Sequence, residues 1–99
     1  MALSSSDFEA ARDELLTIRD FLRWGASEFI AAKLFYGHGT DNPWDEAEQL
    51  VLHGINLSPP LGEEWLDARL TLSERKKIMG NLARRIQERI PAAYITGQA

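Results

Sequence analysis

The side chains that could do chemistry in this chain are two histidines and two adjacent pairs of acids. His38 and His53 are its only histidines. A metal site needs three or four ligands held in one geometry, so the sequence favours no metal. Asp45-Glu46 and Glu63-Glu64 are sequence neighbours, which point in different directions on a helix and cannot share one substrate. We therefore expect no catalytic residue and no metal ligand in this sequence.

A second candidate for chemistry is the glycine pair in Gly37-His38-Gly39, which could suggest a phosphate-binding loop. Such loops follow a strand, lead directly into a helix and carry further glycines at set spacing. Here the stretch follows a predicted helix and the third glycine is missing. Asn42 instead suits a helix N-cap, Pro43 the first helical turn, and Asp45 the third position, where the helix dipole favours an anion. The sequence predicts a corner between two helices over residues 36–47.

Length and composition indicate one compact domain. The chain has 99 residues, 44 % of them hydrophobic and 26 % charged, which is typical of a globular protein. It has no cysteine, so no disulfide can form. No apolar run approaches the ~20 residues that a membrane helix needs, and the N-terminus lacks the basic and apolar regions of a signal peptide. The simplest expectation is a cytoplasmic protein without a membrane partner.

The net charge of -4 is unevenly distributed. Residues 1–68 carry thirteen acids against four bases, whereas residues 69–99 carry seven bases against two acids. A solvated helix face explains the basic end, and we prefer it to a nucleic-acid footprint because no aromatic residue is interleaved with the bases. Nucleic acid is therefore not the expected partner.

The apolar spacing predicts an all-α fold, a small bundle of about five helices. Capping signals and helix-breaking residues place these helices at about 6–24, 28–36, 43–53, 63–68 and 71–89. Trp24, Trp44 and Trp65 are expected to be core anchors; the alternative is that a partly exposed tryptophan serves as a protein-binding hot spot. After Pro91 the residue types favour a strand over 93–96, which we interpret as the first strand of a structure that continues beyond this sequence.

Five segments together resemble a known protein family. They are Leu22–Trp24, Tyr36–Ala47, Gln49–Leu52, Ala68–Thr71 and Glu88–Thr96. The chain resembles the N-terminal domain of the PrmB family, the ribosomal-protein glutamine methyltransferases of the HemK class. The sequence Gly-His-Gly-Thr-Asp-Asn-Pro-Trp-Asp at 37–45 favours this family over the release-factor methyltransferases. The similarity extends over nearly all of residues 8–99.

The resemblance implies that this chain is one of two domains of a longer protein and that the two domains have different roles. Residues 1–91 would form a helical substrate-recognition domain, and residues 92–99 would begin the hairpin that leads to a missing Rossmann-like methyltransferase domain. That domain would bind S-adenosylmethionine and transfer its methyl group to the side-chain amide nitrogen of a glutamine in a large-subunit ribosomal protein. Neither its glycine-rich loop nor its Asn-Pro-Pro-Tyr loop occurs here, so the fragment is expected to be inactive alone, without cofactor-binding residues.

The expected partners are the ribosomal protein and the chain's own catalytic domain. Ribosomal proteins are rich in lysine and arginine, so the acidic first two-thirds would attract such a substrate. Capping does not require His38, Gly39, Thr40 or Asp41. The resemblance makes this stretch, next to Trp44, the candidate functional surface, and the candidate protein-binding residues are His38, Thr40, Asp41 and Trp44. The alternative is an independent helical adaptor or a nucleic-acid-binding domain.

Overall fold

The computed structural model describes residues 3–36 and 42–97 and shows an all-α protein, as predicted. The helices of this part of the chain are α1 (Ser5–Glu14), α2 (Ile18–Ala31), α3 (Pro43–His53), α4 (Glu63–Leu66), α5 (Leu72–Gln87) and α6 (Ala92–Thr96). α3 packs against α2, α5 and α6, and α5 also contacts α1. α3 is thus the helix around which the bundle is arranged.

The predicted first helix is in fact two helices, separated at Leu15–Thr17. Thr17 caps α2: its side chain accepts a hydrogen bond from the backbone of Asp20, and the Asp20 carboxylate accepts from the backbone N–H of Leu16 and of Thr17, each at 3.0 Å. These backbone donors are thereby satisfied outside a continuous helix. The Leu16 carbonyl also accepts from Leu70 at 2.8 Å. The expectation of one helix over 6–24 missed this second capping box.

The capping role of Asp20 predicts a pH dependence of stability. Hydrogen bonds from the backbone of Leu16 and Thr17 lower the pKa of Asp20 below its ordinary value of 3.8. The ionised form is therefore favoured in the folded state, so its contribution is present above about pH 4 and is lost as the pH falls through the lowered pKa. We expect Asp20→Ala to cost roughly 1 kcal/mol at neutral pH, the usual size of a cap.

Urea unfolding of the wild type and Asp20→Ala between pH 7 and pH 2.5 tests this expectation. The difference in unfolding free energy between them should shrink as the pH falls below 4. Glu14→Ala, at the exposed end of α1, is the control and should leave the unfolding free energy nearly unchanged. A difference that stays constant down to pH 2.5 would argue against an ionised capping carboxylate.

Gly25 lies inside α2 and does not end it, contrary to the sequence-based expectation of a new helix at Glu28. A Cβ atom at Gly25 would lie 3.3 Å from Leu82 Cδ2 and 3.5 Å from Ala47 Cβ. The glycine therefore allows α2 to approach α3 and α5 closely, and this packing outweighs its low helix propensity. The core lies at this junction, with fully buried side chains of Phe21, Leu22, Phe29, Leu50, Val51, Leu52, Ile78 and Leu82.

Two of the three tryptophans lie outside this core. Trp24 is partly buried and makes an edge-to-face contact with Phe8, with ring centroids 6.1 Å apart. Trp44 and Trp65 are 44 % and 49 % exposed, so the expectation that they anchor the core is wrong. On α3, Glu46 and Ala47, which follow Trp44, are buried instead, whereas the short helix α4 has no buried residue.

The end of the described chain is a helix where a strand was expected. Ala92–Thr96 form α6, with Ala92 and Ile95 buried and Gly97 closing it in the left-handed conformation at φ 74°. The types Tyr94, Ile95 and Thr96 favour strands when isolated. Burial at the i and i+3 positions against α3 and α5 selects a helix here.

Candidate functional site

The candidate site is the corner that joins α2 to α3, and the structure describes its two flanks. Of the four residues singled out from the sequence, Trp44 is described, whereas His38, Thr40 and Asp41 lie outside the described residues. Phe35 and Tyr36 form the flank that leads into the corner. The described part of the site therefore consists of these flanks and of the residues that hold them in place.

The outgoing flank is a capped helix start, as predicted. Asn42 caps α3: its side-chain oxygen accepts from the backbone N–H of Asp45 at 2.8 Å, and its amide nitrogen donates to the Asp45 carboxylate at 2.9 Å. Pro43 occupies the first turn. These contacts fix the direction in which α3 leaves the corner.

The incoming flank is held by a buried arginine that sequence reasoning missed. Arg85 on α5 is 4 % exposed, and its Nε donates to the carboxylate of Glu46, which is 3 % exposed. Its Nη2 donates to the Phe35 carbonyl at 2.6 Å. A single guanidinium thus connects α5, the first turns of α3 and the chain just before the corner.

Tyr36 completes the surroundings of this arginine. The Arg85 Cζ lies 5.9 Å from the centroid of the Tyr36 ring, within the range of a cation–π contact. The Tyr36 hydroxyl is buried and has no hydrogen-bond partner among residues 3–36 and 42–97. Burial, together with the negative charge of Glu46, raises the pKa of Tyr36, and the Arg85 charge opposes the rise. Tyr36 therefore stays neutral and packs as an aromatic residue.

The sequence did contain a signal for the buried pair. Arg85 continues the buried line of Ile78 and Leu82 along α5, and Glu46 stands one turn before Leu50 on α3. A charged residue in an otherwise apolar helix stripe predicts either exposure at the edge of the stripe or a buried partner. Only the fold shows that the two charges meet, because they are 39 residues apart in the chain.

Other bases in the last third of the chain are also used internally. Arg89 donates from Nη2 to the carbonyls of Ala32 and Lys33, at 3.2 Å each, at the end of α2. Arg75 reaches the Leu15 carbonyl, at the end of α1, at 3.5 Å. Cations near helix C-termini are stabilising because they oppose the helix dipole. Some of the bases in residues 69–99 thus have a structural role, which neither the interpretation as a solvated helix face nor that as a nucleic-acid footprint predicted.

Trp44 stands in an acidic, half-exposed setting on α3. Glu48 lies one turn further along the same face, and Asp45 follows the tryptophan directly. Burial, together with the neighbouring charge of Asp45, raises the pKa of Glu48 above its ordinary value. An exposed aromatic ring with the Glu48 carboxylate one turn away on the same face can contact both the apolar stem and the charged end of a lysine or an arginine.

Because Trp44 is half-exposed, its replacement by alanine is expected to change the stability of the fold only slightly and the binding of a partner strongly. Trp44→Ala should lower the unfolding free energy by roughly 1–2 kcal/mol, less than the 3–5 kcal/mol of a core aromatic residue. If Trp44 contacts a partner, the affinity should fall about thirty-fold. Trp65→Ala is the matched control, since Trp65 is similarly exposed on α4. Equal affinities of the two variants would remove Trp44 from the site.

The described residues contain neither a cluster of metal ligands nor a helix that could span a membrane. Among residues 3–36 and 42–97, no three histidine, aspartate or glutamate side chains are grouped so that they could hold a metal ion. In the same part of the chain, no helix has the length and apolarity needed to cross a membrane.

Curated relatives match almost the whole chain. The ribosomal protein uL3 glutamine methyltransferase of Bordetella pertussis is 50 % identical over 88 residues, which are 89 % of this chain and 30 % of that protein. The protein of the same name from Neisseria meningitidis serogroup B is 49 % identical over 92 residues, 93 % of this chain and 30 % of its own length. No protein-family model and no solved structure matches the chain.

The chain spans about 30 % of the length of these curated relatives. The identity near 50 % extends over about nine-tenths of the chain, so it does not depend on one short motif. By sequence, this chain therefore corresponds to a segment of the ribosomal protein uL3 glutamine methyltransferases, as the resemblance of its motifs predicted.

Proposed function

We propose that this chain is the substrate-binding part of an S-adenosylmethionine-dependent protein-glutamine methyltransferase and that its substrate is the large-subunit ribosomal protein uL3. The observation that carries the proposal is the similarity to uL3 glutamine methyltransferases along almost the entire chain. Methyl transfer and cofactor binding would belong to the part of the protein beyond this segment. Action on a ribosomal protein would place the protein in the cytoplasm.

The corner between α2 and α3 is the proposed contact with uL3. Its described flanks are held in place by the Asn42 cap and by Arg85, so a partner would meet a pre-arranged surface. Pre-arrangement lowers the entropic cost of binding. Trp44 offers the large aromatic side chain that binding sites often use, and Asp45 adds negative charge for a basic partner. His38, Thr40 and Asp41 remain proposed members of this surface.

The contacts of the arginines support a protein partner over a nucleic acid. Arg75, Arg85 and Arg89 donate to backbone carbonyls of other segments of the bundle. Phosphate recognition depends on exposed bases that can neutralise several phosphates. These three guanidinium groups already make hydrogen bonds within the protein, so fewer bases remain to contact a phosphate backbone.

Calorimetric titration of the chain with purified uL3, duplex DNA and S-adenosylmethionine tests the proposal. At two salt concentrations we expect binding of uL3 that weakens moderately with salt, and no heat of binding with the cofactor. DNA binding with a steep salt dependence and no binding of uL3 would favour the alternative of a nucleic-acid-binding domain. Clear binding of S-adenosylmethionine would show that the cofactor site is misplaced in this proposal.

A further inference from the structure

We infer that Arg85 is a positioning residue for partner binding: it holds the two flanks of the corner in a fixed relation, supported by Glu46. The inference rests on the proposed function, because it assigns the arrangement of the two described flanks to the binding of uL3. It concerns residues of α5 and α3 that do not themselves need to touch the partner.

The geometry places one guanidinium between both flanks. Nη2 of Arg85 donates to the Phe35 carbonyl, just before the corner, and Nε donates to Glu46, on the helix that begins just after the corner. The donors belong to one rigid planar group, so the two acceptors cannot move independently while both bonds persist. Arg85 on α5 therefore constrains the separation of the two flanks.

Stability alone explains this arrangement poorly. Taking two charges out of water is costly, and well-packed apolar residues of similar volume often replace a buried ion pair without loss. The Phe35 carbonyl, by contrast, lies in a non-helical segment where it has no helical donor, and the arginine supplies one. What apolar residues could not reproduce is this fixed direction of the chain as it enters the corner.

Lysine is the substitution that separates charge from geometry. A lysine at position 85 keeps a positive charge beside Glu46, but its single ammonium group lacks the planar fork that reaches two acceptors in fixed directions. Arg85→Lys should therefore retain a folded bundle and loosen the incoming flank. The double variant Glu46→Met with Arg85→Met, called the Met–Met variant below, should keep the core filled and leave the Phe35 carbonyl without its Arg85 donor.

The affinity for uL3 and the urea unfolding midpoint, measured on the same variants, test the inference. We expect Arg85→Lys to weaken binding about tenfold, since loss of a fixed geometry costs affinity. We expect the Met–Met variant to bind at least as weakly while its unfolding midpoint stays near or above the wild-type value. Arg19→Lys is the control, because Arg19 also pairs with an acid, Asp67, but at an exposed site; its affinity should be unchanged.

Each outcome decides the inference. Wild-type affinity in a folded Arg85→Lys or Met–Met variant would overturn it. If Arg85→Lys does not fold, the Met–Met variant decides; if neither folds, the pair is a stability element and the inference is wrong.

A nuclear magnetic resonance measurement separates this inference from the proposed function. If the wild-type chain fails to bind uL3, the proposed function fails, but the amide signals of Phe35, Tyr36, Asn42 and Trp44 still report on the flanks. We expect these signals to shift in Arg85→Lys and to stay in place in Arg19→Lys. Unchanged signals in a folded Arg85→Lys variant would overturn the positioning role by themselves.

Discussion

Replacing Arg85 by alanine is expected to lower the unfolding free energy by roughly 3–5 kcal/mol. The substitution leaves the Glu46 carboxylate, which is 3 % exposed, without the guanidinium that pairs with it. It also removes the donor to the Phe35 carbonyl and opens a cavity between α3 and α5. Urea unfolding monitored by circular dichroism measures the loss. The total unfolding free energy of a small domain is about 5–15 kcal/mol, so the Arg85→Ala variant should unfold at markedly lower urea concentrations than the wild type.

Arg19→Ala is the matched control for this prediction. Arg19 forms an ion pair with Asp67 at 3.0 Å, but the two side chains are 51 % and 78 % exposed. An exposed pair contributes about 0–1 kcal/mol, so its removal should shift the unfolding midpoint only slightly. Similar losses for Arg85→Ala and Arg19→Ala would mean that the Arg85–Glu46 pair is hydrated and that the buried geometry described above is wrong.

Phe29→Ala should produce a loss of similar size through a different mechanism. Phe29 lies fully buried on α2, within the main cluster of the core. Truncation of a core phenylalanine removes apolar burial and leaves a cavity, at a cost of about 3–5 kcal/mol. Phe35→Ala offers a control of the same chemistry, since Phe35 is 80 % exposed and its loss should change stability by less than about 0.5 kcal/mol. A cost below about 1 kcal/mol at Phe29 would contradict the packing of α2.

The local signals of the sequence predicted α3 and α5 well. Asn42, Pro43 and Asp45 formed the predicted helix start, and Thr71 with Glu74 formed the predicted capping box of α5. These features depend on residues within one turn of each other, so a single sequence contains all the information they need. The all-α class followed in the same way from the apolar spacing.

Local sequence preference fails to predict the structure mainly where tertiary contacts override it. The break at Leu15–Thr17 is supported by residues 68–70, and the continuity of α2 through Gly25 depends on Leu82 and Ala47 across the interface. The helix at 92–96 forms because Ala92 and Ile95 are buried, although neighbouring residue types favour strands. The contacts between elements are not local, so spacing alone could not reveal them; the capping box of Thr17 and Asp20 is local, and the prediction of one helix over 6–24 overlooked it.

The candidate site could be predicted only in part. The corner and its outgoing cap were visible in the sequence, whereas the support from Arg85 requires α5 to pack against α3. Trp44 was expected in the core because large aromatic residues usually are buried; its exposure at the start of α3 makes it a better candidate for binding than the sequence suggested. The division into residues 1–91 and a linker over 92–99 stays a prediction.

Competition with a full-length relative tests the substrate-binding role most directly. The methyltransferase of Neisseria meningitidis, 49 % identical over the matched segment, would methylate uL3 while increasing amounts of this chain are added. If the chain binds uL3 as proposed, the initial rate of methylation should fall because less free uL3 is left for the enzyme. The Trp44→Ala variant of the chain should inhibit far less than the Trp65→Ala variant. An unchanged rate in a large excess of the folded wild-type chain would contradict the proposal.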